Sequence, residues 1–303
     1  MTARSLQQPP MLTSLMGVVA GAAEYHGYSH SDQLLFGGSG LAFLLNADRG
    51  ISRQSIHNWP FGGFDGLLLN LGILHEDLGH FGPDITADER NRLERGIRRL
   101  ASRGVPCSVK GIEHQLITGF DDHGFLLAAP SVLERETFPD RLDYGSWDQF
   151  RECRSVSFHG FGTTHPASPE IVVTESLRYF VSSRSNPARH ALYGCVSGPR
   201  VYDRWIAALA RSEGSVVPGK ALAMVLGECR RMAAWFVREA APVKPASTEA
   251  ALELARAFDE VSSGLTGLSS LPSSDVRSAL EDLKKREKEC LAGVERFLRN
   301  FIA

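Results

Sequence analysis

The sequence predicts an α+β protein with an antiparallel sheet near its amino terminus and helices in its second half. Three observations indicate this class. An apolar segment with helical spacing comes first, three short apolar runs separated by turns follow, and segments with helical periodicity fill the chain beyond about Thr164. We therefore expect a first domain over residues 1–160 and a helical domain over residues 161–303.

The first helix is predicted to begin at about Ser14 and to end at Gly27. Thr13 is a suitable N-cap, so Ser14 falls in the first turn. The apolar residues recur at three- and four-residue steps, which gives one buried face: Leu15, Val18, Val19, Ala22 and Ala23. Arg4 followed by this apolar run also resembles a secretion signal. The helical pattern continues through Tyr25, so we favour a buried core helix.

Three further segments of the first half have patterns that predict their secondary structure. "LLFGGSGLAFLLN" indicates a buried segment broken by a glycine turn, "FDGLLLNLGI" a short helix, and "ADERNRLERGIRRLASRG" an amphipathic helix ending at Gly104. The glycines of "FGGSG" lack the Gly-Lys-Ser/Thr of a phosphate loop. They are predicted to allow a tight turn and close packing against the first helix.

The sheet is predicted from "VPCSVKG", "HQLITGF" and "GFLLAAP", which read as consecutive antiparallel strands because Gly and Asp turns separate them. After Thr164, five segments carry helical periodicity with polar loops between them. That half of the chain is predicted to form a helical bundle.

Composition narrows the class of protein. The chain is 43% apolar and 22% charged with a formal net charge of −2, which is typical of a soluble globular protein and gives no general attraction to nucleic acid or anionic lipid. No apolar run is long enough to cross a bilayer. The five cysteines are scattered without a C-x-x-C pair, which favours a reducing, cytoplasmic setting over a disulfide framework. Homo-oligomerisation stays open.

Neither histidine pattern predicts a metal centre. In "HEDLGH", His75 and His80 are five residues apart, whereas H-E-x-x-H places its histidines on adjacent turns of one helix face. His159 and His165 flank a short loop, but no carboxylate or cysteine stands at a matching spacing. We expect no structural metal and no cofactor.

The strongest candidates for catalytic residues in the first half of the chain are Gln8, Ser14 and His114. Papain-like enzymes combine an oxyanion donor, a nucleophile at a helix N-terminus and a histidine on a strand. A glutamine six residues before the nucleophile suits the donor role, and His114 begins a predicted strand. The structural alternatives are a local backbone bond for Ser14, an ordinary loop residue for Gln8 and a buried histidine at His114.

Several segments carry a family resemblance: "YHG", "LLFGGSGLAF", "GVPCSVKGIEHQLITGFDDHGFLL" and "GPRVYDRWIAAL". The chain resembles the BtrH-like family of butirosin biosynthesis protein H, which is similar to papain-like peptidases that process bacteriocin leaders. The resemblance implies a papain-like fold and a cysteine-dependent acyl-transfer site whose nucleophile falls on Ser14, whose oxyanion donor falls on Gln8 and whose base falls on His114. Tyr25, Gly38 and Ser39, which lie in the first two segments, are the substrate-binding candidates.

The chain departs from the family pattern at two positions. The family nucleophile is a cysteine, whereas this chain has Ser14, which needs a general base during attack. The third triad residue falls on Ala129 instead of an Asp or Asn, so another carboxylate would have to orient His114: Glu113, Asp121 or Asp122. Ser14 is either natural or a laboratory replacement of cysteine. Cys107, on a predicted strand, is the distant second nucleophile.

The resemblance implies an acyl-transfer enzyme of natural-product biosynthesis. It would move an acyl group from a thioester, with an acyl carrier protein as donor, to a small-molecule amine or to water through residue 14 and His114. Two alternatives stay open. One is a non-catalytic papain-like binding protein with a degenerate site, and the other is a papain-fold cyclase in which His114 alone moves a proton.

Overall fold

A computed structural model describes most of the chain. The described residues are 5–57, 62–82, 84–130, 138–151, 153, 155–192, 194–211 and 219–302. Arg4 of the signal-like segment lies outside them. The chain divides into two compact units, one made of Met1–His30 and Gly72–Pro166 and the other of Ser31–Leu71 and Ala167–Ala303.

The elements of both units follow in chain order. The helices are α1 Ser14–Tyr25, α2 Asp32–Gly38, α3 Gly62–Asn70, α4 Ala87–Ser102, α5 Pro169–Ser185, α6 Arg200–Arg211, α7 Lys220–Ala240, α8 Thr248–Gly267 and α9 Ser273–Ile302. The strands are β1 Asn46–Ala47, β2 Ile73–Phe81, β3 Cys107–Lys110, β4 His114–Phe120, β5 Gly124–Leu127, β6 Arg141–Asp143, β7 Val156–Thr163 and β8 Val196–Ser197. The mixed class, the antiparallel sheet and the helical carboxy-terminal region are confirmed.

The first unit contains a six-stranded antiparallel sheet with the order β2-β7-β3-β4-β5-β6. The three predicted strands are β3, β4 and β5, which are neighbours as expected. Strands β2, β6 and β7 were not predicted. Most of β2 is exposed or half-buried and its sequence, ILHEDLGHF, lacks the alternation by which a half-buried strand is recognised.

The two faces of this sheet are covered differently. One face packs against Ile97 of α4 and carries a buried apolar cluster that includes Cys107, Val109, Ile117, Phe125 and Phe158. Helix α4 begins with a complete capping box between Thr86 and Glu89. Because side chains alternate along a strand, His114 and Leu116 point to the opposite face, toward α1.

Helix α1 is the predicted apolar helix, and ten of its twelve residues are buried. It is followed by Gly27 with φ of +89°, a backbone conformation that favours glycine. A Cβ at Gly17 would lie 2.7 Å from the Pro9 carbonyl oxygen, and a Cβ at Gly21 would lie 2.1 Å from that of Gln7. The two glycines, four residues apart, therefore form a groove in which residues 7–9 lie against the helix.

The second unit contains the helices α2, α3 and α5 to α9, with a short pair of strands, β1 and β8. Residues 31–71, which the sequence boundary assigned to the first domain, belong to this unit. Their glycines are packed by residues of this same unit, whereas the sequence predicted packing on α1: a Cβ at Gly37 would overlap the ring of Phe236 in α7, and one at Gly38 would meet Leu71 and Val172. None of the described helices is long and apolar enough to cross a membrane.

A buried ion cluster joins three helices of the second unit. Glu287 of α9 accepts hydrogen bonds from Arg230 Nε of α7 at 2.6 Å and from Arg184 Nη2 of α5 at 3.2 Å. All three side chains are at most 1% exposed. The two guanidinium groups also donate to the main-chain carbonyls of residues 42–44, which ties this loop to the helices.

Candidate functional site

The structure brings Gln8, Ser14 and His114 together in the first unit. Ser14 is the first residue of α1, His114 is the first residue of β4, and Gln8 lies in the segment that runs along the glycine groove of α1. Ser14 and His114 are completely buried, and Gln8 is half-buried. The contacts between them differ from those of a papain-like triad.

The Ser14 hydroxyl is engaged on two sides. It donates to the Glu113 carboxylate with an Oγ to Oε2 distance of 2.5 Å, and it accepts from the main-chain N–H of His114 at 3.0 Å. These bonds join the first turn of α1 to the start of β4. The hydroxyl therefore contacts the main chain of His114 and the side chain of Glu113. From the sequence, Glu113 was considered only as a partner for the His114 imidazole.

The amide of Gln8 is also engaged with the main chain of β4. Its Nε2 donates to the His114 carbonyl at 3.0 Å and, over a longer 3.5 Å, to the Ser14 carbonyl. Its Oε1 accepts from the Leu116 N–H at 2.8 Å. An oxyanion donor must point its N–H at the reacting carbonyl. Here the N–H groups of Gln8 satisfy main-chain oxygens instead.

Two features favour a negative charge on Glu113, whose side chain is buried. Its carboxylate lies at the N-terminus of α1, where the helix macrodipole stabilises an anion. Lys110 lies on β3 opposite the start of β4. Burial lowers the pKa of Lys110 below its usual range, and the nearby Glu113 carboxylate partly opposes that shift.

The imidazole of His114 belongs to a row of rings on the face of the sheet that packs against α1. The His114 and His159 ring centroids are 5.9 Å apart, and His159 stacks on His75 at 4.9 Å. The row runs from the buried His114 to the half-buried His75 on β2. Sequence reasoning missed it because His75 and His159 lie on two strands, β2 and β7, that were not predicted.

The position of the third triad residue is occupied by an alanine. Ala129 follows β5, as expected from the sequence. Asp121 binds Arg141 through two hydrogen bonds of 2.7 Å, and this hydrogen bonding holds the pKa of Asp121 well below its usual range. Asp122 is exposed. Of the three carboxylates considered, only Glu113 reaches the candidate site, and it does so at the Ser14 hydroxyl.

The three substrate-binding candidates lie away from Ser14 or in the other unit. Tyr25 is eleven residues after Ser14 on the same helix, about 16 Å along the helix axis. Gly38 and Ser39 belong to the second unit, where both are buried and the Ser39 hydroxyl donates to the Phe36 carbonyl. Gly38 is explained by its close neighbours, since a Cβ there would lie 2.8 Å from Leu71.

Cys107 is a poor nucleophile. It lies on the face of the sheet that packs against α4, within the apolar cluster. Burial, with a smaller contribution from the Glu76 carboxylate, raises the pKa of Cys107 to about 12. We expect no iodoacetamide adduct on Cys107 in the folded protein at pH 8 and complete modification in urea, as read by peptide mass spectrometry. Rapid native modification would contradict this assignment.

The histidines of the first unit were also compared with the requirements of a metal site. Across the described ranges, no group of three or more histidine, cysteine, aspartate or glutamate side chains is placed to hold an ion. The row of His75, His159 and His114 is arranged as neighbouring ring faces, a packing arrangement and not a ligand set.

Comparison with models of known protein families and with curated protein sequences gives no match. The chain is therefore described by its own structure, that of an α+β protein. In its first unit, hydrogen bonds from side chains to the main chain join Gln8 and the N-terminus of α1 to strand β4. The chemistry available at this site therefore follows from the contacts of Gln8, Ser14 and Glu113.

Proposed function

We propose that this chain is a non-catalytic binding protein with a papain-like amino-terminal unit. In this proposal, the residues at the catalytic positions of the resembled family hold the fold together instead of performing chemistry. The observation that carries the proposal is the state of the Ser14 hydroxyl, which is completely buried, donates to Glu113 and accepts from the main chain of His114.

A serine nucleophile has two requirements that this geometry opposes. The substrate carbonyl must reach the oxygen, and a base must take the proton as the oxygen attacks. Ser14 has no exposed surface, and the N–H bond from His114 draws electron density from the oxygen. The base of the resembled family would be His114, yet the hydroxyl proton points to Glu113.

The contacts of Gln8 support the same proposal. Its amide replaces a missing strand partner, since it pairs with the carbonyl of His114 and the N–H of Leu116 as a neighbouring strand would. A glutamine used in this way fixes residues 7–9 against β4. It adds stability without any need for a reacting substrate.

One observation favours a second candidate function, acyl transfer through Ser14 with Glu113 as the base. The Ser14 hydroxyl donates directly to the Glu113 carboxylate, the contact that a general base must make with the group it deprotonates. Ser14 Oγ would attack a thioester carbonyl while its proton moves to Glu113. The C–S bond would then break as Glu113 returns this proton to the leaving thiolate, which departs as the free thiol. The Ser14 ester would pass its acyl group to a small-molecule amine or to water and regain the hydroxyl proton from that acceptor. A carrier-protein thioester would be the donor, as the family resemblance implies.

Ser14→Ala tests the proposed structural role of Ser14 through stability. We expect the free energy of unfolding to fall by about 1.5–3 kcal/mol, because the change removes a hydrogen bond to a charged group and one from a buried N–H. A loss no larger than that of the control below would contradict the structural role. Urea unfolding followed by circular dichroism measures the difference.

The matched control is Ser176→Ala. Ser176 is equally buried, but within the part of the chain that the structure describes its hydroxyl donates to a single acceptor, the Val173 carbonyl of its own helix. We expect a loss below about 1 kcal/mol there. The chemical test is incubation of the wild type with an acyl N-acetylcysteamine thioester. A mass increase that Ser14→Ala abolishes would overturn the binding proposal in favour of acyl transfer.

A further inference from the structure

We infer that Arg184 and Arg230 bind one small monovalent anion, of the size and charge of chloride, in the interior of the second unit. The two guanidinium groups carry more charge and more N–H donors than the described residues around them satisfy. This site belongs to the second unit, whereas Ser14 and His114 belong to the first. The inference therefore does not depend on whether Ser14 is catalytic.

The buried ion cluster has a surplus of one positive charge. Arg184 and Arg230 contribute two positive charges, and Glu287 is the only carboxylate that the described structure pairs with either of them. Burial, together with the Glu287 charge, raises the pKa of the Tyr202 hydroxyl and of the Cys290 thiol, so both neighbours are neutral at pH 7. Neither of them supplies a second negative charge.

The surplus charge lies on Arg184. Glu287 is closer to Arg230, with an N to O distance of 2.6 Å against 3.2 Å for Arg184. Burial lowers the pKa of Arg184, and the Glu287 charge does not overcome this shift. Burial acts in the same direction on Arg230, but there Glu287 outweighs it and the pKa is raised. The carboxylate therefore balances Arg230, and Arg184 is left without a full counterion.

The same two side chains have hydrogen-bond donors to spare. Glu287 and the main-chain oxygens of residues 42–44 accept from Arg184 Nη2 and from Arg230 Nε and Nη1. Arg184 Nε and Nη1 and Arg230 Nη2 have no acceptor among the residues that the structure describes, and all three nitrogens are buried. Buried polar groups in proteins are almost always hydrogen-bonded. These nitrogens therefore favour a bound acceptor.

The surroundings increase the need for that acceptor. The Arg184 guanidinium lies over the Phe180 ring, 4.7 Å from its centroid, and its side chain is 1% exposed. Bulk water therefore does not screen the charge, and an unpaired charge in the interior is strongly destabilising. A bound anion would balance the charge and accept the unpaired N–H groups together.

The chemistry of the site selects the ligand. A water molecule would accept the N–H bonds but would leave the surplus charge unbalanced, whereas one monovalent anion balances it. Arginine offers donors and no acceptor, so an anion that must also donate, such as bicarbonate, finds no partner for its proton on these two side chains. A halide only accepts, and its small size suits an enclosed site.

The test measures thermal unfolding of the full-length protein after dialysis into potassium gluconate, whose anion is too large for an enclosed site. Chloride then replaces gluconate at constant ionic strength. We expect the midpoint to rise along a saturable curve, by at least about 2 °C between about 2 and 200 mM chloride, because the anion binds only the folded state. A water molecule in place of the anion predicts equal midpoints in the two salts.

A variant and its control locate the anion. Arg184→Met removes the surplus charge and two of the three unpaired nitrogens but leaves the pair of Arg230 and Glu287, and it should abolish the chloride dependence. Arg286→Met is the control, since Arg286 is a half-exposed arginine of the same unit that pairs with Glu260, and it should keep the dependence. Circular dichroism confirms folding of each variant.

Crystals of the wild type grown in bromide give a readout that does not require a variant to fold. The anomalous signal should show a bromide ion in contact with Arg184 and Arg230. Equal midpoints in chloride and gluconate, an unchanged chloride dependence in Arg184→Met, or bromide bound only elsewhere would each overturn the inference.

Discussion

Replacing Glu287 by glutamine will lower the free energy of unfolding by about 3–5 kcal/mol. Glu287 is the only carboxylate that the described structure places against Arg184 and Arg230, and all three side chains lie in the interior of the second unit. Glutamine keeps the size of the side chain but removes its charge. Two buried guanidinium groups would then share one neutral amide oxygen and the main-chain carbonyls as acceptors, with no carboxylate charge to balance them.

Glu260→Gln is the matched control. Glu260 pairs with Arg286 in the same unit, but its side chain is 61% exposed. Exposed ion pairs contribute between zero and about 1 kcal/mol. Urea unfolding of both variants therefore compares the same substitution at a buried and at an exposed carboxylate. Equal losses in the two variants would contradict the role assigned to the buried cluster.

The Glu287 contribution also depends on pH. Burial alone raises the pKa of Glu287, but the charges of Arg230 and Arg184 outweigh it and hold the pKa below its ordinary value of 4.5. The unfolded chain therefore binds a proton at this residue at a higher pH than the folded chain does. The stabilisation is complete above about pH 4.5 and is lost as the pH falls through the folded pKa. The stability gap between wild type and Glu287→Gln should narrow in acid.

Much of the local structure could be predicted from the sequence because it follows from short-range patterns. The apolar spacing after Ser14, the amphipathic pattern of α4 and the turns around β4 each act within a few residues. The division into units could not be predicted in the same way. Residues 31–71 are apolar and glycine-rich, and their partners, such as Phe236, lie about two hundred positions away.

The candidate site could also be predicted only in part from the sequence. The spacing of Gln8 and Ser14 and the start of β4 at His114 predicted which residues come together, since a helix N-terminus and a strand end fix their places. The spacing did not predict which atoms would meet. A hydroxyl accepts from a main-chain N–H as readily as from an imidazole, and Glu113 stands one residue before His114. Side-chain geometry decides between those partners, and sequence spacing does not determine it.

Gly21→Leu will lower the free energy of unfolding by about 3 kcal/mol, at the upper end of the cost of overpacking. A Cβ at Gly21 would lie 2.1 Å from the main-chain oxygen of Gln7 and 2.7 Å from Leu116 Cδ1. A flexible side chain could rotate away, but the Gln7 oxygen belongs to the backbone. The segment 7–9 must therefore leave the helix. Gln8 would leave with it, and the Leu116 N–H would lose its acceptor.

This displacement has a local readout besides stability. Amide hydrogen exchange at Leu116 should accelerate in Gly21→Leu, because the Gln8 oxygen that protects this N–H at 2.8 Å is withdrawn. Gly66→Leu tests the alternative that any leucine in place of a helical glycine disturbs the protein. Nothing lies within 4 Å of a Cβ at Gly66, so leucine should be neutral or stabilise by up to about 1 kcal/mol. If Gly21→Leu matched Gly66→Leu in stability and left Leu116 protected, residues 7–9 would not lie in the α1 groove, and Gln8 would be free of the structural role proposed for it.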